Sequence, residues 1–258
     1  MIVLRRLAIL SALAMALTVP GLALAQQSTP PQSTRPAGMS PAEVERIEQV
    51  IREYLLRNPE VIIEAVQGLE RRQRADAQKQ AQAQIAQRKD DLLNDPDSPV
   101  AGNPNGDVTL VEFFDYRCPY CKQVAPAIFQ LIKEDKKLRL VLKEFPILGP
   151  ESVAAARAAL AARLQGKYLE MHHALMRMRG NFSLEAILKA AEESGIDGAR
   201  LRIDMESDGV KKQIEKTYEL GRALSINGTP AFVIGDRIIP GAVDIETLKT
   251  LIRQARQG

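Results

Sequence analysis

The sequence predicts an α/β protein in which a small sheet unit carries an inserted block of helices and follows an N-terminal helical segment. Three observations predict this class: a strand–helix–strand pattern over residues 108–143, an almost unbroken helical pattern over residues 151–225, and a return to strands over residues 231–239. The 258 residues contain two cysteines, Cys118 and Cys121. The pair therefore falls inside the strand–helix–strand unit.

The first 25 residues have the pattern of a cleavable export signal. Arg5 and Arg6 precede an apolar run from Leu7 to Val19, and Ala23-Leu24-Ala25 is a small-x-small cleavage site. The run of about 13 residues is shorter than the roughly 20 that a membrane-spanning helix needs. No cysteine follows the cleavage site, which excludes lipid attachment there. We therefore expect residues 1–25 to be a signal peptide and the mature protein to be exported.

Charge and composition narrow the functional classes. Loss of the signal segment removes two arginines and no acidic residue, which lowers the formal charge from +3 to +1. A nearly neutral chain lacks the basic footprint of a nucleic-acid-binding protein, so no nucleic acid partner is expected. The hydrophobic fraction of 45% is ordinary for a globular chain with an apolar core. Two cysteines in an exported chain make redox chemistry a class to test.

Turn-rich stretches divide the remaining chain. Residues 26–39 are rich in Pro, Ser, Thr and Gln without an apolar period, and they predict a disordered spacer. Residues 40–93 predict a helical oligomerisation and linker segment. Clusters of Pro, Gly and Asn over residues 95–106 mark its boundary with a sheet domain, residues 94–258. Within that domain the helical insert is predicted at about residues 150–225.

The N-terminal helical segment is apolar at its start and polar at its end. Ser40, Pro41 and Glu43 have the pattern of a capping box with proline in the first turn. Apolar residues then recur at helical spacing as far as Leu69, whereas the polar remainder has only Ile85 as a large apolar residue. We expect that remainder to be a solvated rod or flexible linker. The apolar part is too short to fold alone and predicts self-association, with packing on the chain's own sheet domain as the alternative.

Apolar strand segments and turn signals predict the elements of the sheet domain. A helix is expected to begin near Cys118, and the first two strands are expected to be parallel with a right-handed crossover. A hairpin turn at Gly235-Asp236 joins the last two strands. The remaining predicted bounds are strands at Val108–Asp115, Leu138–Lys143, Ala231–Ile234 and Arg237–Ile239, and a closing helix at about Asp244–Arg256.

The cysteine pair could serve three chemistries: a structural disulfide, a metal site or a reversible dithiol. A disulfide that closes a four-residue loop stabilises a fold by only about 2 kcal/mol. A structural zinc site needs four ligands, and the only histidines, His172 and His173, are adjacent on a predicted helix. At most one of them could join the cysteines, and we interpret both as surface or packing residues. A cuprous ion, which two thiolates can hold, stays open as a ligand.

The placement of the pair favours redox chemistry. Cys118 stands between the end of an apolar strand and a helix that opens with Pro119 and Tyr120. Unpaired backbone N–H groups and the positive end of the helix dipole favour a thiolate at that position. Cys121 lies one turn further into the helix and is expected to be less exposed and to act second. We therefore predict an exchange-active dithiol.

Two motifs resemble the thioredoxin superfamily. The stretch CPYCKQVAP has the two cysteines of that family and a proline, Pro126, expected to kink the active-site helix. Asn227-Gly228-Thr229-Pro230, directly before a strand, resembles the cis-proline loop. The resemblance covers about residues 100–256, and the helical insert makes the domain similar to the periplasmic DsbA-like branch. It implies a thioredoxin fold with an inserted helical subdomain, a periplasmic location, and a redox-active disulfide with no bound cofactor.

The resemblance also implies roles for individual residues. Thr229 and Pro230 match the loop that lies against the active-site disulfide and pairs with the substrate backbone, and Pro119 and Tyr120 are expected to contact substrate. Glu112, on the strand before the first cysteine, matches the family's buried acid. A carboxyl buried there would have a raised pKa and could accept the proton of the second cysteine. Strand alternation makes its burial plausible.

Two positions depart from the oxidase pattern of this branch: Tyr120 replaces histidine, and Thr229 replaces valine before the proline. With the helical extension, these residues resemble the suppressor-of-copper-sensitivity protein C group, which includes trimeric disulfide isomerases. The resemblance implies an isomerase or reductase of misoxidised exported proteins, kept reduced by a B-type membrane thiol reductase. It also implies a homo-oligomer, a trimer, formed through residues 40–93. A monomeric dithiol oxidase and a cuprous-ion carrier are the alternatives.

Overall fold

The computed structural model describes residues 38–257. The predicted signal peptide, residues 1–25, and the predicted spacer up to residue 37 lie outside the described residues. Contacts divide the chain into two compact units, one ending at Glu64 and the other beginning at Ala65. Within the described range, no helix combines the length and the apolar character that crossing a bilayer requires.

The helices and strands follow the order that the sequence predicts, and two further short elements are present. The strands of the described residues are β1 (Val100–Gly102), β2 (Val108–Phe114), β3 (Leu138–Glu144), β4 (Ala231–Ile234) and β5 (Arg237–Pro240). The helices of the described residues are α1 (Pro41–Arg57), α2 (Glu60–Gln87), α3 (Lys89–Leu93), α4 (Pro119–Glu134), α5 (Pro150–Arg163), α6 (Tyr168–Arg177), α7 (Leu184–Glu193), α8 (Gly198–Asp204), α9 (Asp208–Ala223) and α10 (Ile245–Gln257). The three-residue β1 and the short α8 were not predicted.

Helix α1 begins with the predicted capping box. The Ser40 hydroxyl accepts the backbone N–H of Glu43, and the Glu43 carboxylate accepts the backbone N–H of Ser40 at 2.7 Å. No residue of α1 is buried. Its apolar face and that of the start of α2 therefore remain uncovered. The exposed large apolar residues here are Ile47, Val50, Ile51, Tyr54, Leu56, Ile62, Ile63, Val66 and Leu69.

The polar end of α2 is fixed to the sheet. Ile85 packs in a buried cluster with Phe113, and Gln82 Nε2 donates to Asp236 Oδ2 at 2.6 Å. Leu92 of α3 is fully buried in the same cluster. The prediction of a solvated rod or flexible linker is therefore wrong for this end of the helix, because its single large apolar residue is buried. These contacts also make α3 and the end of α2 part of the unit that holds the sheet, whereas composition placed the boundary at residue 94.

The five strands form one sheet in the order β1-β3-β2-β4-β5. Strands β2 and β3 are parallel, as predicted, and the other neighbours are antiparallel. Along β2, Leu110 and Phe114 pack into the cluster that contains Cys121, whereas Val111 and Phe113 pack into the cluster that contains Ile85. Even-numbered residues of β2 therefore face the active-site helix α4.

The predicted helical insert is present as α5 to α9. Helix α5 is rich in alanine, and its fully buried small side chains allow close packing inside the domain. Helix α9 approaches the end of β3 so closely that a Cβ atom on Gly221 would lie 2.6 Å from the ring of Phe145. Only glycine fits at that contact.

A polar clasp ties the end of the linker to the opposite face of the sheet. The buried ammonium group of Lys143 donates to Ser98 Oγ at 2.7 Å and to the carbonyl oxygen of Asp91 at 2.5 Å, and lies 3.6 Å from Asp95 Oδ2. Gln213 of α9 donates to the same carboxylate at 2.7 Å. The clasp thus joins β3, α9 and the segment before β1.

Candidate active site

Cys118 stands directly before α4, as the cap residue of that helix. Its side chain is 4% exposed, and its sulfur donates to the carbonyl oxygen of Thr229 at 3.2 Å. The sequence led us to expect the sulfur to face the free N–H groups of the helix, but it makes no capping hydrogen bond. Both cysteines are free thiols here, and a thiol is a donor, so it turns to a carbonyl.

Cys121 lies in the first turn of α4 and is fully buried. Burial raises the pKa of its thiol well above the ordinary value, and the negative charge of nearby Glu112 raises it further. The prediction that Cys121 is less exposed than Cys118 is confirmed. A sulfur in this position needs a proton acceptor before it can attack.

The Thr229–Pro230 peptide bond is cis, as the sequence predicts. Pro230 is buried, and its carbonyl oxygen accepts the N–H of Gly241 at 2.8 Å, which fixes the loop to the end of β5. The carbonyl of Thr229 is thereby directed at the sulfur of Cys118. A backbone acceptor beside the attacking sulfur is suited to an extended peptide substrate.

Glu112 lies on β2 and is 1% exposed, so its predicted burial is confirmed. Its Oε1 atom has no hydrogen-bond partner, and burial raises the pKa of the carboxyl from 4.5 to about 8. The carboxyl shares the α4 side of the sheet with Cys121. Its role as proton acceptor stays a prediction.

The two residues between the cysteines are both exposed, and Tyr120 is 62% exposed. Leu148, on the loop after β3, is a further exposed apolar residue near the cysteine pair. Its carbonyl accepts from the guanidinium of Arg117 at 2.9 Å, and its N–H donates to Asp115 Oδ2 at 3.0 Å. Sequence reasoning missed Asp115, a buried acidic residue that joins this loop to the segment directly before Cys118 by accepting the backbone N–H groups of Leu148 and Arg117.

A groove of about 1000 Å³ runs along one side of the cis-proline loop. Its walls are residues Arg74 to Ala81 of α2, the segment Leu224 to Ala231, and β5 with its flanking turns. Thr229 and Pro230 line it, and the carbonyl of Thr229 is the acceptor for the sulfur of Cys118. We note that α2, predicted as a linker, forms part of the wall.

Sequence reasoning also missed a buried polar network below the site. The hydroxyls of Tyr116 and Tyr168 donate to Glu144 Oε1 at 2.8 and 2.7 Å, and the Tyr116 hydroxyl lies 3.0 Å from His172 Nδ1. Burial lowers the pKa of His172 to about 3, so the ring is neutral and the prediction of a packing histidine is confirmed. No motif marks this set, because its members come from two strands' ends and α6.

The cysteine pair gathers few further ligands. Within residues 38–257, no cluster of three or more His, Cys, Asp or Glu side chains is arranged to hold a metal ion. The sulfurs themselves are the soft ligands that a cuprous ion prefers. His173, which composition left as a candidate ligand, instead packs on the ring of Phe129.

Comparison with known proteins gives two family matches. The DSBA-like thioredoxin domain matches residues 109–253, and the copper resistance protein ScsC N-terminal domain matches residues 43–76. The first match covers the sheet from residue 109 in β2 to β5 together with the inserted helices, and the second covers most of α1 and the start of α2.

Two solved structures illustrate the similarity. A thioredoxin-like oxidoreductase from Silicibacter pomeroyi is 47% identical, with 66% of this chain and 98% of that chain covered and a TM-score of 0.64. ScsC from Proteus mirabilis in a transitional conformation is 31% identical, with 85% and 99% covered and a TM-score of 0.63. The second similarity extends into the N-terminal helices.

Among curated proteins, the Na(+)/H(+) antiporter NhaA 1 of Salinispora arenicola is 32% identical over 167 residues. That alignment covers 64% of this chain and 26% of the antiporter. The chain thus spans about a quarter of the length of the first curated relatives that it matches.

Proposed function

We propose that this chain, which belongs to the DSBA-like thioredoxin domain family and matches the ScsC N-terminal domain over residues 43–76, is a thiol–disulfide oxidoreductase that isomerises disulfides of exported proteins. The observation that carries the proposal is the uncovered apolar face of α1 and the start of α2. An apolar surface of this kind on a soluble chain calls for a partner, and a second copy of the chain offers the same face.

The exchange begins at Cys118. Its thiolate attacks one sulfur of a client disulfide, the client S–S bond breaks, and the other client sulfur leaves as a thiolate. The new mixed disulfide lies beside the carbonyl of Thr229, where an extended client segment can donate a backbone N–H. Tyr120, between the two cysteines, and Leu148, whose carbonyl accepts from Arg117, offer exposed apolar contacts.

Two routes resolve the mixed disulfide. In isomerisation, another client thiolate attacks the client's sulfur in the mixed disulfide, which restores the Cys118 thiolate and leaves a rearranged client with no net electron transfer. In reduction, Cys121 loses its proton, attacks Cys118 and releases the client thiolate, so two electrons pass to the client. Glu112 is the proposed acceptor of the Cys121 proton, because it is buried, near and without a partner on Oε1.

The proposal includes an assembly and an electron donor. Association of the apolar N-terminal faces into a trimer would bring several Cys118 sites to one client. When the cysteine pair reduces a client, it is itself oxidised to a disulfide. It must then be reduced again, although the periplasm is oxidising. We therefore include a B-type membrane thiol reductase among the partners, and a periplasmic location after removal of residues 1–25.

Reactivation of a scrambled disulfide protein tests the proposal. The mature chain and a variant that lacks residues 26–64, the mature part of the first compact unit, are compared in a glutathione buffer, with light scattering to give their masses. We expect the mature chain to be an oligomer and to reactivate the client, and the shortened chain to be a monomer that reduces but reactivates poorly. A monomeric mature chain that instead oxidises reduced clients would indicate a dithiol oxidase. Metal-free chain without activity that binds one cuprous ion through both sulfurs would indicate a metal carrier.

A further inference from the structure

A second acidic side chain is buried on the same face of the sheet as Glu112. Parallel strands β2 and β3 pair Glu112 with Leu142 and Phe114 with Glu144. Glu144 is therefore one diagonal step from Glu112, on the neighbouring strand and the same face, with Cα atoms about 8 Å apart in ideal sheet geometry. Both carboxyls are almost fully buried.

No positive charge compensates the two carboxyls. Among the described residues, neither Glu112 nor Glu144 forms an ion pair with a lysine, arginine or histidine. The ring of His172 is neutral. The other acid that faces Glu144 is Asp115, whose carboxylate accepts the N–H groups of Arg117 and Leu148. A charge on one glutamate therefore disfavours a charge on the other.

Hydrogen bonding decides which of the two carries the charge. Glu144 Oε1 accepts two hydroxyl bonds, from Tyr116 and Tyr168, and these stabilise its carboxylate form. The network assigns the proton of His172 to Nδ1, which donates to the Tyr116 oxygen and frees the Tyr116 proton for Glu144. Glu112 has no such donors among the described residues. Burial raises the pKa of both carboxyls to about 8, and the two hydroxyl donors make Glu144 the one that loses its proton first, so that Glu112 keeps its proton to a higher pH.

A protonated Glu112 cannot accept the proton of Cys121. We propose that Glu144 is a positioning residue that keeps the proton on Glu112, and thereby slows the step in which Cys121 releases a client. The inference rests on the proposed exchange function and deepens it. A slow release lengthens the life of the mixed disulfide with Cys118, so a client thiol has time to attack and isomerisation is favoured over reduction.

The release step can be followed without a protein client. The reduced mature chain is mixed with a symmetric aromatic disulfide whose released thiolate absorbs visible light. Attack by Cys118 releases the first thiolate, at a rate that depends on reagent concentration. Attack by Cys121 on the mixed disulfide releases the second, at a rate independent of reagent concentration. The pH midpoint of the second phase reports the ionisation of Glu112.

We expect Glu144→Gln to lower this midpoint by about one pH unit and to speed the second phase about tenfold at neutral pH, because a neighbouring charge has been removed. Glu112→Gln should lose the midpoint, and adding Glu144→Gln to it should change nothing more. Tyr168→Phe, which removes one donor but keeps the carboxyl, should shift the midpoint in the same direction by less. Glu134→Gln, an exposed acid on α4, is the matched control and should behave as the native chain.

A midpoint in Glu144→Gln and Tyr168→Phe equal to that of the native chain would overturn the inference. Carboxyl titration of isotope-labelled glutamate in the reduced chain gives a second readout. We expect two coupled steps in the native chain, a single step near the lower native value in Glu112→Gln, and a single step below the higher native value in Glu144→Gln. A Glu112 step in Glu144→Gln at the same pH as in the native chain would also overturn the inference. Because neither measurement uses a protein client, failure of client repair would count against the isomerase function alone.

Discussion

The sulfur of Cys118 and the carbonyl oxygen of Thr229 lie 3.2 Å apart, although 111 residues separate them in sequence. The contact joins the start of α4 to the loop before β4, and it places a backbone acceptor at the point where a client sulfur must arrive. On conversion to a thiolate, the sulfur can no longer donate to this carbonyl. Ionisation therefore frees both the nucleophile and the acceptor for a client.

The two cysteines are expected to fail in different ways. Cys118→Ser should abolish exchange, because it removes the proposed attacking sulfur and the remaining cysteine, Cys121, is fully buried. Cys121→Ser should retain attack and accumulate mixed disulfides with clients, since the resolving sulfur is absent. Mass spectrometry of non-reduced samples distinguishes these outcomes. An active Cys118→Ser chain would show that the assignment of the attacking sulfur is wrong.

Buried Glu112 is expected to make stability depend on pH. Its pKa is about 8 in the folded chain and 4.5 for a free carboxyl, so the folded state holds a proton that the unfolded state has lost between these values. This contribution to stability is complete below pH 4.5 and declines as pH rises to about 8. Urea unfolding should show Glu112→Gln gaining on the native chain by about 1 kcal/mol per pH unit across that window. The exposed Glu134→Gln should run parallel to the native chain.

The uncovered face of α1 should govern the assembly. Ile47→Glu and Ile51→Glu place charges on that face, so both should lower the mass measured by light scattering and reduce client reactivation. The rate at which each variant releases thiolate from the small aromatic disulfide should be unchanged. Gln49→Glu adds the same charge on the polar side of the helix and serves as the control. Equal masses for all three variants would contradict assembly through this face.

Tyr120 is expected to bind clients rather than to take part in the chemistry. Its ring is largely exposed beside the attacking sulfur and has no hydrogen bond to the described residues that would fix it for another role. Tyr120→Ala should therefore raise KM for a protein client several-fold, roughly the loss of 1 kcal/mol of apolar contact, with little change in kcat. Tyr120→Phe should behave as the native chain. The opposite pattern, a fall in kcat alone, would assign the ring a different role.

The Lys143 clasp should be sensitive to loss of its acid. Burial lowers the pKa of Lys143 to about 8, and Asp95 partly offsets this. Asp95→Ala leaves a buried cation without a counter-ion and should cost about 2 kcal/mol in urea unfolding at neutral pH. Lys143→Met removes the charge and keeps the volume, so it should cost less. Asp97→Ala, at an exposed acid nearby, is the control, and an equal cost there would contradict a special role for Asp95.

The fold and the central site were predictable because their signals are local. Short apolar runs bounded by turn residues predicted β2, β3, β4 and β5 within one or two residues of their observed ends. The motif around Cys118 and the Thr229–Pro230 pair carried the resemblance on which the active site depended. Strand β1 could not be predicted in the same way, because it has three residues and its edge position is set by pairing with β3.

The rest of the site depends on long-range packing. Nothing near Glu144 in sequence indicates that Tyr168 and His172, on a different helix, will enclose its carboxyl. Likewise, a single Ile85 in a polar helix gave no reason to expect a docked helix, since one apolar residue has no period. Both features become visible only when the sheet supplies the cavity that these side chains enter.

The hydrogen bond from Tyr168 to Glu144 has a consequence for protein engineering. The hydroxyl donor belongs to the inserted helices, and the acceptor belongs to the strand beneath them. Transplanting the insert of a homologue into this scaffold would leave an unsatisfied buried acid unless the donor travelled with it. A chimera of this protein must therefore exchange the helix that carries the tyrosine donor and the strand that carries the glutamate acceptor together.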